Sequence, residues 1–191
     1  MNEDKRELIR RAAIKVISQE GFHQVTTDRI ADEAGVAVGT IYNYFRNKED
    51  IRSYIFEVER QRRAAFFRQV QGESAHPLEK VRRLLAMHFQ AVQADPAIAR
   101  VILEERRLAH SRPGGPECEG LPDFLAELLR EGIAGGAIRP CDPSLVATAI
   151  FGAVEALMAR YVQELAAYGQ SETLGRASDE IYRLLHSGLS T

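Results

Sequence analysis

The chain has no tryptophan and only two cysteines among its 191 residues, and these shortages narrow its chemistry before any motif is read. Cys118 and Cys141 stand without a second thiol or a histidine at metal-ligand spacing, so they read as free thiols rather than as a zinc site or a disulfide framework. A run of about eighteen apolar residues is missing, and the N-terminus is too charged for the apolar region of a signal peptide. A soluble, cytoplasmic chain with no membrane partner is expected. His23, His76, His88, His110 and His186 have no serine or cysteine nucleophile motif, glycine-rich phosphate loop or metal-ligand pattern beside them, so no catalytic residue, metal or cofactor is expected. Strand alternation, internal repeats and low-complexity segments are also lacking, which leaves an all-α fold. A net charge of -2 and a pI near 6.2 exclude a globally basic chain, so any affinity for a polyanion has to come from local charge.

What is present is concentrated between Thr26 and Phe45. Ile30, Ala31 and Ala34 share one apolar face and Val38, Ile41 and Phe45 another, with Gly35 supplying a tight turn between two short helices. This is helix-turn-helix spacing. Thr26 or Thr27 is suited to cap the first helix, with Asp28 in its first turn favoured by the helix dipole, and that N-terminus can meet a phosphate. The second helix carries Gly39, Thr40, Tyr42, Asn43 and Tyr44 away from the core. On such a helix Asn43 and Tyr44 can reach base edges or sugar-phosphate, and Lys48 beyond it offers a mobile positive charge. Lys5, Arg6, Arg10, Arg11 and Lys15 add local charge ahead of the motif.

With 45% hydrophobic residues, the chain is long enough for a small head, 1–48, followed by a larger helical domain, 49–191, that holds a core. Periodicity and breakers predict helices over 3–20, 49–70, 78–94, 96–108, 121–134, 142–168 and 171–187, with a mobile loop over 111–120. His88 falls on an apolar face, where a core histidine is the ordinary reading. Phe89, Val92, Phe124, Phe151, Val154 and Met158 are candidates to line an apolar tunnel, and the small residues Ala149, Gly152, Ala153, Ala156 and Ala159 allow close helix approach. The last two helices can form a four-helix bundle with a second copy or simply close the monomer's own core.

The head resembles the DNA-binding domain of the TetR family of bacterial repressors. The resemblance rests on Thr26-Thr27, Ile30-Ala31, Ala34-Gly35-Val36, Gly39-Thr40-Ile41-Tyr42, Phe45 and Lys48-Glu49. It implies that Tyr42 and Lys48 hold phosphates, that Thr27, Gly39 and Thr40 assist, and that Asn43 and Tyr44 read the operator. Ala37-Val38 depart from the hydroxyl and polar residues usual at those positions, which removes one or two phosphate contacts. It further implies a homodimer on a palindromic double-stranded operator, released by a small-molecule inducer, and no enzyme activity. His88-Phe89 to Leu103-Glu104, the segment 131–139 and Ile150 to Glu155 are similar to the subgroup that represses fatty-acid degradation and responds to acyl-CoA. That similarity adds His88, Leu103 and Glu155 to the candidate ligand contacts. Arg106 and Arg107, before the loop, have the guanidinium fork that CoA phosphates favour. A drug-like or aromatic inducer in the same apolar space is the alternative.

Overall fold

The computed structural model describes the backbone of residues 2–110 and 120–190 and the side chains of 5–106 and 120–190. Residues 111–119 of the loop expected over 111–120, Cys118 among them, and the side chain of Arg107 lie outside the described residues. In chain order the elements are α1 (Asn2–Glu20), α2 (Thr27–Ala34), α3 (Val38–Tyr42), α4 (Lys48–Gln71), α5 (Pro77–Ala94), α6 (Pro96–His110), α7 (Leu121–Ala134), α8 (Pro143–Tyr168), a 3-10 turn (Thr173–Gly175) and α9 (Ala177–Leu189). The fold is all-α. Among the described residues the only β feature is an isolated antiparallel bridge between Ile138 and Ser190, where Arg139 N donates to Leu189 O at 2.9 Å.

Two compact units divide the chain. The first is Met1–Arg62 with Ala97–Glu105, and the second is Arg63–Pro96 with Arg106–Thr191. In the first, Ile9, Ala13 and Val16 of α1 and Ile30 and Ala31 of α2 share one core with Ile41, Phe45, Ile51, Ile55, Ile98 and Val101. Thr26 caps α2 by accepting from Arg29 N at 3.1 Å. Gly35 ends it with φ 64°, in the left-handed region, and Val36 N then donates back to Ala31 O at 3.0 Å. In the second unit α5 packs on α7 and α9, and α7 on α8. Leu78, Leu84, Leu85, Phe89, Leu125, Leu128, Leu129 and Val154 are fully buried there. Asp142 caps α8 through Ser144 N and Leu145 N, and His76 Nδ1 caps α5 by accepting from Leu78 N at 3.2 Å.

One expectation needs correction. The helix predicted over 171–187 begins only at Ala177 and runs through Gly188 to Leu189. Its first residues form the 3-10 turn because Ser171 and Thr173 spend their hydroxyls on the Glu164 carboxylate, at 2.5 and 2.6 Å. An unbroken apolar run is absent from α8, where Glu155 and Arg160 interrupt an eighteen-residue window with a mean hydropathy of 1.6 that is 28% buried. By length and composition alone that helix is able to cross a membrane. Its buried face is Ala147, Ile150, Val154, Met158 and Tyr161, and its other face exposes Leu145, Ala149, Gly152 and Ala156.

Candidate nucleic-acid interface and ligand cluster

The first unit presents a surface made from α2 and α3. Thr26, Gly39, Tyr42 and Asn43 are exposed, while Thr27 and Thr40 are half-buried. Thr27 Oγ1 and Tyr42 Oη lie 3.1 Å apart, tying the start of α2 to the end of α3 and placing two hydroxyls beside the α2 N-terminus. Tyr44 differs from expectation. α3 ends at Tyr42 with Asn43 as its C-cap, and Tyr44 packs partly against the core of this unit rather than pointing away from it.

Lys48 differs more. It opens α4, and its Nζ donates to Phe22 O and Val25 O, both at 2.8 Å, with His23 O at 3.5 Å. The ammonium also sits 4.5 Å from the centroid of the Phe22 ring. It is a fixed charge, not a mobile one. The N-terminal basic residues are similarly engaged. Arg10 is 2% exposed and meets both oxygens of Glu7, at 2.7 and 2.8 Å, and Glu59 at 3.3 Å. Its hydrogen bond holds the Glu7 carboxyl at about 2, well below the ordinary 4.5, with Arg11 adding to the effect. Arg10 therefore belongs to the interior of the head. Lys15 pairs with Glu33, and Arg6 lies 4.4 Å over the Tyr54 ring and 5.2 Å over Phe45. Arg46 pairs with Asp50 through Nε at 2.7 Å. A polyanion approaching this unit meets Arg10, Lys15 and Arg46 already paired with acids, together with the exposed residues Thr26 and Tyr42.

In the second unit five of the expected ligand residues form one connected group. His88 Nε2 is 3.2 Å from Met158 Sδ. Arg106 Nη1 donates to Glu155 Oε1 at 2.7 Å, and its guanidinium lies 4.8 Å over the Phe151 ring. Burial pushes the His88 imidazole down to about 4, helped by the positive charges of Arg106 and Arg63, so it is neutral at physiological pH. Arg63 went unseen in the sequence because nothing local in an Arg-rich helix marks a partner 25 residues away. Phe89, Val92 and Val154 are buried in the same unit. Phe124 stacks on Phe67, with centroids 4.5 Å apart and planes at 10°. Leu103 falls within the first unit. Arg106 already donates through Nη1 to an internal carboxylate, so an incoming phosphate competes with Glu155 for the guanidinium.

The outer faces of α8 and α9 frame a separate open groove of about 730 Å³, lined by Ala153, Ala156, Leu157, Ile181 and Leu184 with Arg160 and Glu164 at its edge. Leu184 is 76% exposed. Arg160, Ser171 and Thr173 hold the Glu164 carboxyl down at about 2, the two hydroxyls contributing most.

Residues 9–55 match the family described as "Bacterial regulatory proteins, tetR family", and residues 60–188 match "YsiA-like protein, C-terminal region". The "Fatty acid metabolism regulator protein" of Bacillus subtilis (strain 168) is 31% identical over 185 residues, which cover 93% of this chain and 92% of that protein. Among solved structures, the fatty acid degradation regulator FadR from Bacillus halodurans is 32% identical with a TM-score of 0.79, covering 95% of this chain and 94% of that one. The transcriptional regulator FadR from Bacillus subtilis, in complex with stearoyl-CoA, is 29% identical with a TM-score of 0.76, covering 95% and 98%. These relatives are transcriptional regulators, not enzymes. Helix-turn-helix geometry in the first unit and matches running through both units place the chain in the TetR family of bacterial regulatory proteins.

Proposed function

We propose that the protein is a homodimeric repressor of fatty-acid-degradation genes that leaves a palindromic operator when a long-chain acyl-CoA occupies its second unit. The similarity along nearly the whole chain to a regulator crystallised with stearoyl-CoA carries this reading. In it Thr26 and Thr27 at the α2 N-terminus and Gly39, Thr40 and Tyr42 on α3 approach phosphates, and Asn43 reaches base edges. The acyl chain runs among Phe89, Val92, Phe151, Val154 and Met158. The exposed small-residue face of α8, with Leu184 of α9, is covered by a second copy.

The test starts from a DNA site selected by the protein from a random-sequence library. The complex is titrated with acyl-CoAs of increasing chain length, with CoA and free fatty acid as controls. Release by long-chain acyl-CoA at micromolar concentration is expected. No release by any of them overturns the acyl-CoA reading and favours a drug-like or aromatic inducer. If Arg106 takes a CoA phosphate by displacing Glu155, Glu155→Gln strengthens acyl-CoA binding and Arg106→Gln weakens it. Equal binding by both variants assigns the phosphates to other residues.

A further inference from the structure

We infer that Lys48 is a positioning residue that fixes the turn in front of α2, and that its part in DNA recognition is exerted through that turn and not through a phosphate. An ammonium has three N–H donors. Two of them have short, well-placed carbonyl acceptors in Phe22 and Val25, the third faces His23 O, and the charge rests over the Phe22 ring. The two short bonds, to Phe22 O and Val25 O, hold the ammonium against the turn.

The location of the three carbonyls gives the arrangement its function. Phe22, His23 and Val25 lie in the connection between α1 and α2, after Gly21 turns the chain with φ 79°. The next residue is Thr26, the N-cap of α2, and then Thr27, whose hydroxyl meets Tyr42. Lys48 is thus one residue away from the cap on which the exposed edge of α2 and the end of α3 depend. A second feature agrees. A lysine at the first position of a helix faces the positive end of its dipole, an unfavourable place for a cation. Carbonyls from another segment offset that cost, and Glu49 and Asp50 in the same first turn reduce it further.

The clamp and a phosphate contact make opposite statements about salt. Each phosphate neutralised by a cation contributes roughly 0.9 to the slope of log K against log salt concentration. Lys48→Met is expected to keep the wild-type slope and to lower affinity for the selected site about tenfold to a hundredfold, with a smaller loss on random DNA. Random-sequence binding does not require α2 and α3 in register. Hydrogen exchange of the free variant is expected to quicken at the amides of 22–27 while the buried amides of α1 stay protected. A slope lowered by about 0.9 for each head, with equal losses on selected and random DNA, overturns the inference.

A measurement on the unaltered protein covers the case in which Lys48→Met does not fold. With lysine labelled at Nζ with ¹⁵N, the Lys48 ammonium resonance is expected to exchange slowly in free protein and to keep its shift when DNA is added. Fast exchange in the free protein, or a shift on DNA addition as large as that of a phosphate-bound lysine, overturns the clamp.

Discussion

Two ionisable side chains give this chain separable pH signatures at the scale of single residues. His88 has a folded value near 4 against an ordinary 6.5, so between those limits the unfolded chain binds a proton that the folded chain does not. Stability therefore falls as pH drops from about 6.5 to about 4. His88→Gln, which keeps an amide near Met158 and removes the titration, is expected to flatten thermal stability across that window, as read by circular dichroism melts at half-unit pH steps. Glu7 works in a lower window. Its folded value near 2 lies below an ordinary 4.5, so the stabilisation is fully present above about 4.5 and is lost as pH falls toward 2. Glu7→Gln leaves the buried Arg10 with Glu59 as its remaining named carboxylate and is expected to cost about 1–3 kcal/mol at neutral pH in urea unfolding. A variant as stable as the parent shows that Arg10 finds a substitute partner.

The elements themselves were largely legible in the sequence because their ends carry local chemistry. Thr26 before α2, Gly35 after it, Asp142-Pro143 before α8 and Gly169 after it all act within four residues, which is the range that sequence pattern reports. Long-range pairing was not legible. Glu164 draws Ser171 and Thr173 out of a helix, Arg10 meets Glu59 across 49 positions, and Lys48 meets carbonyls 23 to 26 residues back. Backbone carbonyls look the same in every sequence, so nothing marked Lys48 as anything but a free cation. The candidate site divides the same way, with the identities of His88, Arg106, Phe151 and Glu155 suggested early and the Arg106–Glu155 pair visible only in three dimensions. Two glycines test the element scale. At Gly35 a Cβ would meet nothing within 4 Å, so Gly35→Ala is expected to cost about 1–2 kcal/mol from backbone strain alone. At Gly132 the obstacle is steric, since a Cβ would lie 2.8 Å from Ile138 Cγ1 and 3.1 Å from Pro77 Cβ. Gly132→Ala is expected to cost about 1–3 kcal/mol. Ile138→Ala in the Gly132→Ala background relieves that clash, and a double-mutant cycle reads the coupling.

At the scale of the whole molecule the outer face of α8 is the surface that the proposed dimer covers. Leu145 is 70% exposed, Leu184 on α9 is 76% exposed, and the small residues Ala149, Gly152 and Ala156 lie along the same side of α8. Exposed apolar surface of this kind is costly in water and favours a covering partner. Small side chains permit a close helix crossing, and Arg160, Glu164 and Glu180 along the groove give a charged rim able to set register. In the proposed dimer two reading heads bind two half-sites together, so the second engages at the effective concentration created by the first. Leu184→Glu places a carboxylate on each side of such an interface while leaving a residue that is already exposed in the monomer. It is expected to sediment as a monomer at micromolar concentration with its melting temperature governed by the monomer alone. Its affinity for an inverted repeat is expected to fall about a hundredfold to ten-thousandfold, toward that of a single half-site, while half-site binding changes little. Wild-type protein that sediments as a monomer at the same concentration contradicts the dimer outright. A dimeric Leu184→Glu variant moves the interface away from α9 and leaves the exposed face of α8 to be tested by Ala156→Arg.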